Sequence, residues 1–417
     1  MTLSKNIFLN VILFLSILGL GFLKTSPVFS DDFDVAAKHA FALESSTGKI
    51  LYAKDSNTPV AIASTTKLLT IYLVYQAIEQ GRIHWDTPVA ISDYAYELTS
   101  NWEISNVPMT KRSYTVKELV DASLLASSNS AAIALAEHLA GSEPAFVDLI
   151  KRQLETWGIT DTKLVNATGL NNKYLGDHIY PNSQKDDENM MSAKSLAKIA
   201  YHLITDYPDV LTITNQAGSN FDGKPIQNTN AMLTGMPRYR KGVDGLKTGS
   251  TERAGHCFVS TATVNNMRVI TVILNADNPK DNPNARFEAT NALLNHIEAT
   301  FEPLTLFSAG EKVGKAPVKD GEKETANAIL KNDFTVITTK TLTNPAPAKL
   351  NFTANLKAPV RANQHIGDLT YQDINLIDQG YLDAPPSLPL LAQDTIETKF
   401  ILEIWWENLV NYINEKL

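Results

Sequence analysis

Three short motifs constrain this 417-residue chain more than any other feature of its sequence. They are Ser64-Thr65-Thr66-Lys67, Ser127-Ser128-Asn129 and Lys247-Thr248-Gly249, in this order along the chain. Each motif alone is uninformative, because Ser, Thr, Lys and Gly are common residues. The ordered set is informative, because it combines a serine, a lysine three positions later and further polar groups suited to proton transfer and binding. The set predicts acyl transfer by a serine that does not depend on histidine.

The first motif precedes an apolar run, residues 68–78, which is typical of a buried helix. This predicts that Ser64 lies at the helix N-terminus, where free backbone N–H groups and the helix dipole favour developing negative charge. Lys67 would lie on the same face of the helix, and a buried lysine with a lowered pKa can take the proton of a serine. For this motif alone, an N-cap serine beside a solvated lysine is the structural alternative.

The second motif falls in the short gap between two predicted apolar helices. A turn held by two packed helices would project the Ser127 hydroxyl and the Asn129 amide into a cleft without flexing. The hydroxyl would relay a proton to the leaving amine, and the amide would bind a peptide carbonyl. Ordinary turn and cap chemistry is the alternative.

The third motif ends a predicted strand that starts at residue 243. Lys247 and Thr248 offer a cation and a hydroxyl for a substrate carboxylate. Gly249 allows a substrate backbone to approach the strand edge, and the N–H of Ser250 can pair with that of Ser64 as an oxyanion hole. An exposed strand end closed by a glycine turn is the alternative.

Residues 1–30 predict a cleaved signal sequence and therefore an exported protein. Lys5 precedes an apolar run, residues 7–23, and Val28-Phe29-Ser30 suits the site that a signal peptidase recognises. An uncleaved membrane anchor is the alternative, because the apolar run is nearly long enough to span a bilayer.

The net charge of the chain is −8 at pH 7, and residues 1–30 contain two lysines and no acidic residue, so the exported chain is more acidic still. An acidic protein without a basic patch is a poor binder of nucleic acid. The sequence has neither a G-x-S-x-G nor an H-E-x-x-H motif, and its eight histidines are scattered, so we expect no metal ion and no cofactor. The single cysteine, Cys257, lies in an apolar stretch and is expected to be buried and inert.

Local patterns predict an α+β domain, residues 31–300, with a largely antiparallel sheet. The predicted elements are a hairpin around residues 45–48, a helix opened by the capping box Thr115-Val116-Lys117-Glu118, helices at 131–140 (capped by Ser130), 144–157 and 285–299, and strands at 243–248, 256–263 and 267–274. Residues 165–190 are polar and end where Met190-Met191-Ser192-Ala193 starts a further helix. A loop of this length is either functional or disordered.

From residue 301 the helical periodicity stops, and short apolar runs between Pro, Gly and Asn predict a small all-β domain, residues 301–390. The last segment, residues 394–417, has apolar side chains at helical spacing and predicts an amphipathic helix. Its paired Trp405-Trp406 and its Tyr412 suit a membrane interface, although its polar face is acidic. Membrane association is the prediction, and packing on the β domain or on a partner chain is the alternative.

With these motifs, the chain resembles the low-molecular-weight penicillin-binding proteins, specifically the serine-type D-alanyl-D-alanine carboxypeptidases. The resemblance covers nearly all of the chain after residue 30. It is carried by Ala61-Ile62-Ala63-Ser64-Thr65-Thr66-Lys67, Ser127-Ser128-Asn129, Asn166-Ala167-Thr168-Gly169-Leu170 and Val243-Asp244-Gly245-Leu246-Lys247-Thr248-Gly249. It implies a β-lactamase/transpeptidase-like domain with helices on both faces of the sheet.

The resemblance also implies an activity. The family removes the terminal D-alanine from peptidoglycan stem pentapeptides through an acyl-enzyme, which limits cross-linking of the cell wall, and it is acylated by β-lactams. The implied catalytic residues are Ser64, Lys67 and Ser127, and the implied substrate-binding residues are Asn129, Lys247, Thr248, Gly249 and Ser250. Arg253 is a further candidate for binding the terminal carboxylate.

Three alternatives share parts of this pattern. A β-lactamase would have the same acylation site, but class A enzymes hydrolyse the acyl-enzyme with a glutamate-held water. The acids Glu137, Glu143, Glu155 and Glu188 lie between the second and third motifs, and none stands in an E-x-x-L-N pattern. A DD-endopeptidase would also begin with the same acylation. A non-catalytic scaffold is disfavoured, because all the motif side chains are present.

Overall fold

The computed structural model describes residues 33–278, 280–341 and 348–416. The predicted signal sequence, residues 1–30, lies outside the described residues. The elements up to residue 300 are β1 (Ala37–Glu44), β2 (Ile50–Lys54), β3 (Val60–Ala61), α1 (Lys67–Glu79), β4 (Pro88–Ala90), α2 (Asp93–Glu97), β5 (Ser113–Thr115), α3 (Val116–Leu124), α4 (Asn129–Ala140), α5 (Glu143–Thr156), β6 (Met190–Met191), α6 (Ala193–Asp206), α7 (Val210–Thr214), β7 (Gly218–Phe221), β8 (Lys224–Gln227), β9 (Val243–Thr251), β10 (Gly255–Val264), β11 (Met267–Ala276) and α8 (Ala285–Thr300).

The elements after residue 300 are mainly strands. They are β12 (Phe301–Phe307), β13 (Lys312–Pro317), β14 (Thr325–Ile329), β15 (Phe334–Thr339), β16 (Lys349–Phe352), β17 (His365–Thr370), β18 (Ser387–Ala392) and the terminal helix α9 (Ile401–Lys416).

The first part of the chain is built on a five-stranded sheet in the order β2-β1-β11-β10-β9, with antiparallel neighbours throughout. The strands β10 and β11 are buried along most of their length, and α6 and α8 pack against both of them. Burial on both faces explains why the middle of β11, residues 269–274, reads as a nearly continuous apolar run rather than as an alternating one. The predicted α+β fold, its hairpin and its antiparallel sheet are confirmed. Cys257 on β10 is buried and unpaired, as predicted.

The helical half of this region surrounds α1, which contacts α3, α4, α5 and α6. Both α1 and α4 are apolar around most of their circumference, whereas α5 and α6 carry a single apolar stripe. A helix that is apolar on all sides is stable only when it is enclosed. The first motif therefore leads into the most enclosed helix of the fold.

Two predicted helix starts are wrong by a few residues. Ser128, not Ser130, caps α4, because its hydroxyl accepts the N–H of Ala131 at 3.3 Å, and this places Asn129 in the first helical turn. Met190-Met191 is not helical, since it pairs with β3 as strand β6, and α6 starts after the N-cap Ser192. The capping box that opens α3 is confirmed.

The polar segment 165–190 has little regular structure, yet much of it is buried. Its asparagine side chains take the place of a strand partner. Asn189 Oδ1 accepts the N–H groups of Val165 and Asn166, and Asn166 Oδ1 accepts that of Gly169 at 2.7 Å. Side-chain amides thus satisfy buried backbone groups that neither helix nor sheet would satisfy.

The second part of the chain forms a separate apolar cluster between a two-stranded sheet, β12-β15, and a five-stranded antiparallel sheet in the order β13-β14-β18-β17-β16. The predicted all-β domain is confirmed as a fold. A loop of this domain contacts the β1–β2 hairpin through two backbone hydrogen bonds. The N–H of Ile50 donates to the Gly380 carbonyl at 2.9 Å, and the N–H of Leu382 donates to the Gly48 carbonyl at 2.8 Å. At the same contact, the buried Lys49 and Asp373 form an ion pair.

The terminal helix α9 exposes its large apolar side chains, including Trp405 and Trp406, which are 62% and 61% accessible. Within the described parts of the chain, the helices are all too short or too polar to cross a membrane.

Candidate active site

Ser64 lies in a tight 3-10 turn, Ala63–Thr66, that runs directly into α1 at Lys67. The prediction of an α-helical N-terminus at Ser64 is therefore displaced by one turn, because Ala63 adopts a left-handed backbone conformation with φ of 49°. All four residues of the turn are buried, and the Ser64 side chain reaches the surface of a cleft. The turn directs the hydroxyl into the cleft while the rest of the segment stays enclosed.

Two glycines from different segments approach this turn closely. A Cβ on Gly169, where φ is +82°, would lie 1.8 Å from the Ala63 oxygen. A Cβ on Gly249 of β9 would lie 3.0 Å from both the Ser64 nitrogen and the Ile62 oxygen. The distance at Gly169 leaves no room for a side chain, so a glycine is required there, whereas a Cβ at Gly249 would need the turn that carries Ser64 to shift by a few tenths of an ångström.

Lys67 is fully buried, and its Nζ has three oxygen neighbours. It lies 3.0 Å from Ser64 Oγ, 2.7 Å from Asn129 Oδ1 and 3.0 Å from the Thr168 carbonyl oxygen. Burial holds the pKa of Lys67 well below its usual value, the charge of Lys247 lowers it further, and the carboxylate of Glu143 opposes both effects. Its three oxygen neighbours include no carboxylate, so no directly bonded anion offsets the cost of burying a charged ammonium group.

The second motif contributes to the site in two ways. Asn129 donates its Nδ2 to the Ser105 carbonyl at 2.8 Å, which directs its Oδ1 toward Lys67. Ser127 is buried with φ of 59°, and within the described residues its hydroxyl makes no hydrogen bond. The strained backbone at Ser127 is the kind of conformation that surrounding structure maintains at functional sites.

The third motif lies on β9, the edge strand of the sheet, beside the turn that carries Ser64. Lys247 is buried, and its Nζ donates to the Thr248 carbonyl at 3.0 Å. Burial and the charge of Arg286 lower the pKa of Lys247 to about 7. The Thr248 hydroxyl donates to Thr229 Oγ1 at 2.7 Å.

The cleft in front of Ser64 has a volume of about 480 Å³. Its lining residues are Ser64, Glu103, Ile104, Ser105, Asn129, Leu170, Asn171, Lys173, Tyr174, Glu188, Ser250, Thr251, Glu252 and Arg253. The other predicted site residues are buried and do not line it; they are Lys67, Ser127, Lys247, Thr248 and Gly249. The predicted set is thus divided between residues that line the cleft and residues directly behind them, of which Ser127 and Thr248 keep a small accessible fraction, 4% and 6%.

Several residues that matter to this geometry were not predicted from the sequence. Thr168 and Glu143 belong to the surroundings of Lys67. Arg286 on α8 donates to the Gly249 carbonyl at 2.9 Å and to Ser250 Oγ at 2.7 Å, and so fixes the end of β9. An arginine within an otherwise mixed helix carries no sequence signal for this role. For Glu143, the only local signal was its position after the N-cap Ser142.

Comparison with known proteins agrees with this arrangement. The family model described as D-alanyl-D-alanine carboxypeptidase matches residues 25–278, and that of the penicillin-binding protein 5 C-terminal domain matches residues 301–398. The D-alanyl-D-alanine carboxypeptidase DacF of Bacillus subtilis is 30% identical over 335 residues, which are 80% of each chain. The D-alanyl-D-alanine carboxypeptidase DacA of Haemophilus influenzae is 28% identical and covers 81% of each chain.

A solved structure from Streptococcus pneumoniae, described as a peptidoglycan synthesis regulatory factor (PBP3), has 50% sequence identity and a TM-score of 0.81, and the match covers 88% of this chain and all of that one. Penicillin-binding protein D2 of Listeria monocytogenes, solved in an ampicillin-bound form, is 27% identical with a TM-score of 0.53, and the match covers 63% and 97% of the two chains. The predicted resemblance is therefore confirmed: this chain belongs to the D-alanyl-D-alanine carboxypeptidase family of serine-type hydrolases.

Proposed function

We propose that this protein hydrolyses the terminal D-alanyl-D-alanine bond of peptidoglycan stem pentapeptides through an acyl-enzyme on Ser64, and that β-lactams acylate the same serine. The observation that carries the proposal is the environment of Lys67. Two of its three neighbours, Asn129 Oδ1 and the Thr168 carbonyl, can only accept hydrogen bonds. A neutral lysine donates its two N–H groups to them, and its lone pair is then left for the Ser64 hydroxyl at 3.0 Å.

In this proposal, acylation begins when Lys67 takes the proton of Ser64 and the Ser64 Oγ attacks the carbonyl carbon of the penultimate D-alanine. The backbone N–H groups of Ser64 and Ser250 stabilise the oxyanion. The C–N bond then breaks, and the proton passes from Lys67 through the Ser127 hydroxyl to the departing amine of D-alanine. Water then gives a proton to Lys67 and attacks the ester carbon. The C–O bond to Ser64 Oγ breaks, Lys67 returns the proton to Ser64 Oγ, and the shortened stem peptide is released.

We assign binding of the terminal carboxylate to Lys247 and Thr248. An anion beside Lys247 would stabilise its charged form and offset the burial that lowers its pKa to about 7. Gly249 and Arg286 would hold this end of β9 against the Ser64 turn. Arg253, which is exposed at the cleft, would be a second contact for the same carboxylate.

A β-lactamase is less well supported, because none of the glutamates between the second and third motifs stands in an E-x-x-L-N pattern, and the two nearest the site, Glu143 and Glu188, already accept a hydrogen bond at each carboxylate oxygen. Glu143 accepts hydrogen bonds from the Ala167 N–H and the Tyr94 hydroxyl. Glu188 accepts them from Asn171 Nδ2 at 3.1 Å and Thr251 Oγ1 at 2.7 Å.

The test is incubation of the purified protein with a pentapeptide that ends in D-Ala-D-Ala, with Ser64→Ala as the control. Release of D-alanine by the parent alone is the expected result, and equal behaviour of the two proteins would contradict the proposal. Mass spectrometry after penicillin treatment should give one stable adduct that maps to Ser64. Rapid turnover of penicillin would indicate a β-lactamase, and cleavage of cross-linked peptides instead of pentapeptide would indicate an endopeptidase.

We also propose that the protein is exported and that α9 binds the membrane surface through its aromatic face. Trp405, Trp406 and Tyr412 are more than half accessible, and such amphipathic rings are stabilised at the headgroup layer of a membrane. Because the polar face of α9 is acidic, binding should depend little on anionic lipid. Sedimentation with neutral vesicles tests this: the parent should bind, Trp405→Ala with Trp406→Ala should not, and failure of the parent to bind would refute it.

A further inference from the structure

Glu143, the first residue of α5, is a buried carboxylate close to Lys67, although it does not line the cleft. Each of its two carboxylate oxygens accepts a hydrogen bond from another segment of the chain. One carboxylate oxygen accepts the Ala167 N–H at 2.9 Å, and the other accepts the Tyr94 hydroxyl at 2.9 Å. A carboxylate that is only 3% accessible is costly to bury, and two hydrogen bonds offset part of this cost.

The hydrogen bond from Ala167 connects Glu143 to the backbone segment that contacts Lys67. The two residues Ala167 and Thr168 are held through their backbone groups. The Ala167 N–H donates to Glu143, the Ala167 carbonyl accepts the Thr70 hydroxyl at 2.6 Å, and the Thr168 carbonyl accepts Lys67 Nζ at 3.0 Å. Thr70 and Lys67 stand one turn apart on α1. From outside that helix the segment is fixed by the bond to Glu143 and by Asn166, whose Oδ1 accepts the N–H groups of Thr168 at 3.1 Å and Gly169 at 2.7 Å.

We propose that Glu143 is a positioning residue for Lys67, acting through the Ala167–Thr168 peptide to direct the lysine lone pair at Ser64. The inference rests on the proposed role of Lys67 as the base. A neutral lysine presents its lone pair to Ser64 only when both N–H groups have acceptors in place. Asn129 is one acceptor, held by Ser105. The Thr168 carbonyl is the other, held through the Ala167 N–H by Glu143 and through the Gly169 N–H by Asn166.

Tyr94 makes the anchor rigid. Its hydroxyl donates to Glu143, and its ring stacks on His178 with centroids 3.8 Å apart and planes 15° from parallel. Since Tyr94 belongs to α2 and His178 to the polar segment 165–190, Glu143 joins three segments of the chain behind the cleft.

The charge of Glu143 adds a second, measurable effect. Burial raises the pKa of Glu143 to about 7; the bonds from Ala167 and Tyr94 oppose this shift, the charge of Glu137 adds to it, and the charge of Lys67 opposes it. In turn, burial and Lys247 lower the pKa of Lys67, whereas Glu143 raises it. Removing the negative charge should therefore lower the pKa of Lys67, and the acid limb of the acylation profile should move to lower pH.

The experiment measures the rate of acylation by a fluorescent penicillin from pH 5 to pH 9. Glu143→Gln keeps an acceptor for Ala167 but removes the charge, Glu143→Ala removes both, and Glu155→Gln changes an exposed acid of the same helix as the control. We expect Glu143→Ala to be about 100-fold slower, as for a misplaced catalytic group. Glu143→Gln should keep most of the rate and move its acid limb to lower pH, and Glu155→Gln should match the parent.

Two results would overturn the inference. The first is an acylation rate of Glu143→Ala equal to that of the parent. The second is equal slowing in both Glu143 variants without a shift of the acid limb, which would indicate a merely structural role for Glu143. If Glu143→Ala does not fold, the acid limb of Glu143→Gln decides the question. Failure of the proposed function would look different, because the parent itself would then form no adduct on Ser64.

Discussion

Two regions of the described chain bury lysines, and they surround them with different partners. At the contact between the β1–β2 hairpin and the β domain, Lys49 forms an ion pair with the buried Asp373, which also accepts the Tyr381 hydroxyl at 2.8 Å. Behind the cleft, Lys67 and Lys247 are equally buried, but neither is bonded to a carboxylate.

The difference shows in how burial acts on the three lysines. It lowers the pKa of Lys49, but Asp373 raises it again in part. Burial lowers the pKa of Lys247 to about 7 and holds the pKa of Lys67 well below its usual value. In both cases the charge of a second cation lowers the pKa further, and the lysine has no bonded carboxylate that would raise it. A buried lysine with a bonded carboxylate holds segments together, whereas one surrounded by carbonyl-type acceptors is available as a base.

The largest expected effect is on the rate of acylation, which should depend on Lys67 and not on Lys49. Lys67→Met should slow acylation of Ser64 by penicillin about 1000-fold, because general-base assistance is lost. Lys49→Met should leave the rate per folded molecule unchanged. Mass spectrometry of timed penicillin reactions measures both. A large loss of acylation in folded Lys49→Met would break the comparison.

The next effect separates the same roles in stability. Asp373→Asn should lower the free energy of unfolding by about 3 kcal/mol, because it leaves Lys49 buried without its partner. Replacing both residues, by Lys49→Met and Asp373→Leu, should recover most of the loss. Urea unfolding followed by fluorescence measures the change. An unchanged midpoint for Asp373→Asn would mean that the pair contributes nothing to this contact.

A third prediction concerns the packing that keeps Lys67 and Ser64 together. Gly169→Ala should slow acylation roughly 100-fold, since its Cβ would displace the Ala63 carbonyl and with it the Ser64 turn. Gly176→Ala is the matched control. Gly176 also has a positive φ, of +57°, but a Cβ added there would meet no atom within 4 Å, so only the backbone strain is shared. Equal rates for the two variants would contradict the packing argument.

The smallest effect is a pH dependence of stability from Lys247. Its pKa is about 7 in the folded protein and near 10.5 when unfolded, so the unfolded state binds more protons between these values. The stability of the parent relative to Lys247→Met should therefore rise by about 2 kcal/mol from pH 7 to pH 9. Urea unfolding at the two pH values measures it. A difference that is constant or falls with pH would show that Lys247 is charged in the folded state.

The sequence was sufficient for the features that depend on local spacing. Apolar runs located the strands β9, β10 and β11, the Thr115 capping box located α3, and the motifs identified the residues now found around the cleft. The errors were also local: Ser130 was predicted as the cap of α4 in place of Ser128, and Met190-Met191 was predicted as helical although it pairs with β3. The partner of Met190-Met191 lies far away along the chain, outside any local pattern. The cap of α4 bonds Ala131 only three residues on, so two nearby serines fit the same local pattern.

What the sequence by itself determined is the set of chemical groups and the elements that carry them, because helix spacing alone places Lys67 one turn from Ser64. Only the tertiary structure decided which buried lysine is bonded to a carboxylate and which is not. The acceptors of Lys67 come from 62 and 101 residues away, and the partner of Lys49 from 324 residues away. Burial and the presence of a bonded carboxylate set the pKa of a lysine, and both depend on residues that only the folded chain brings together.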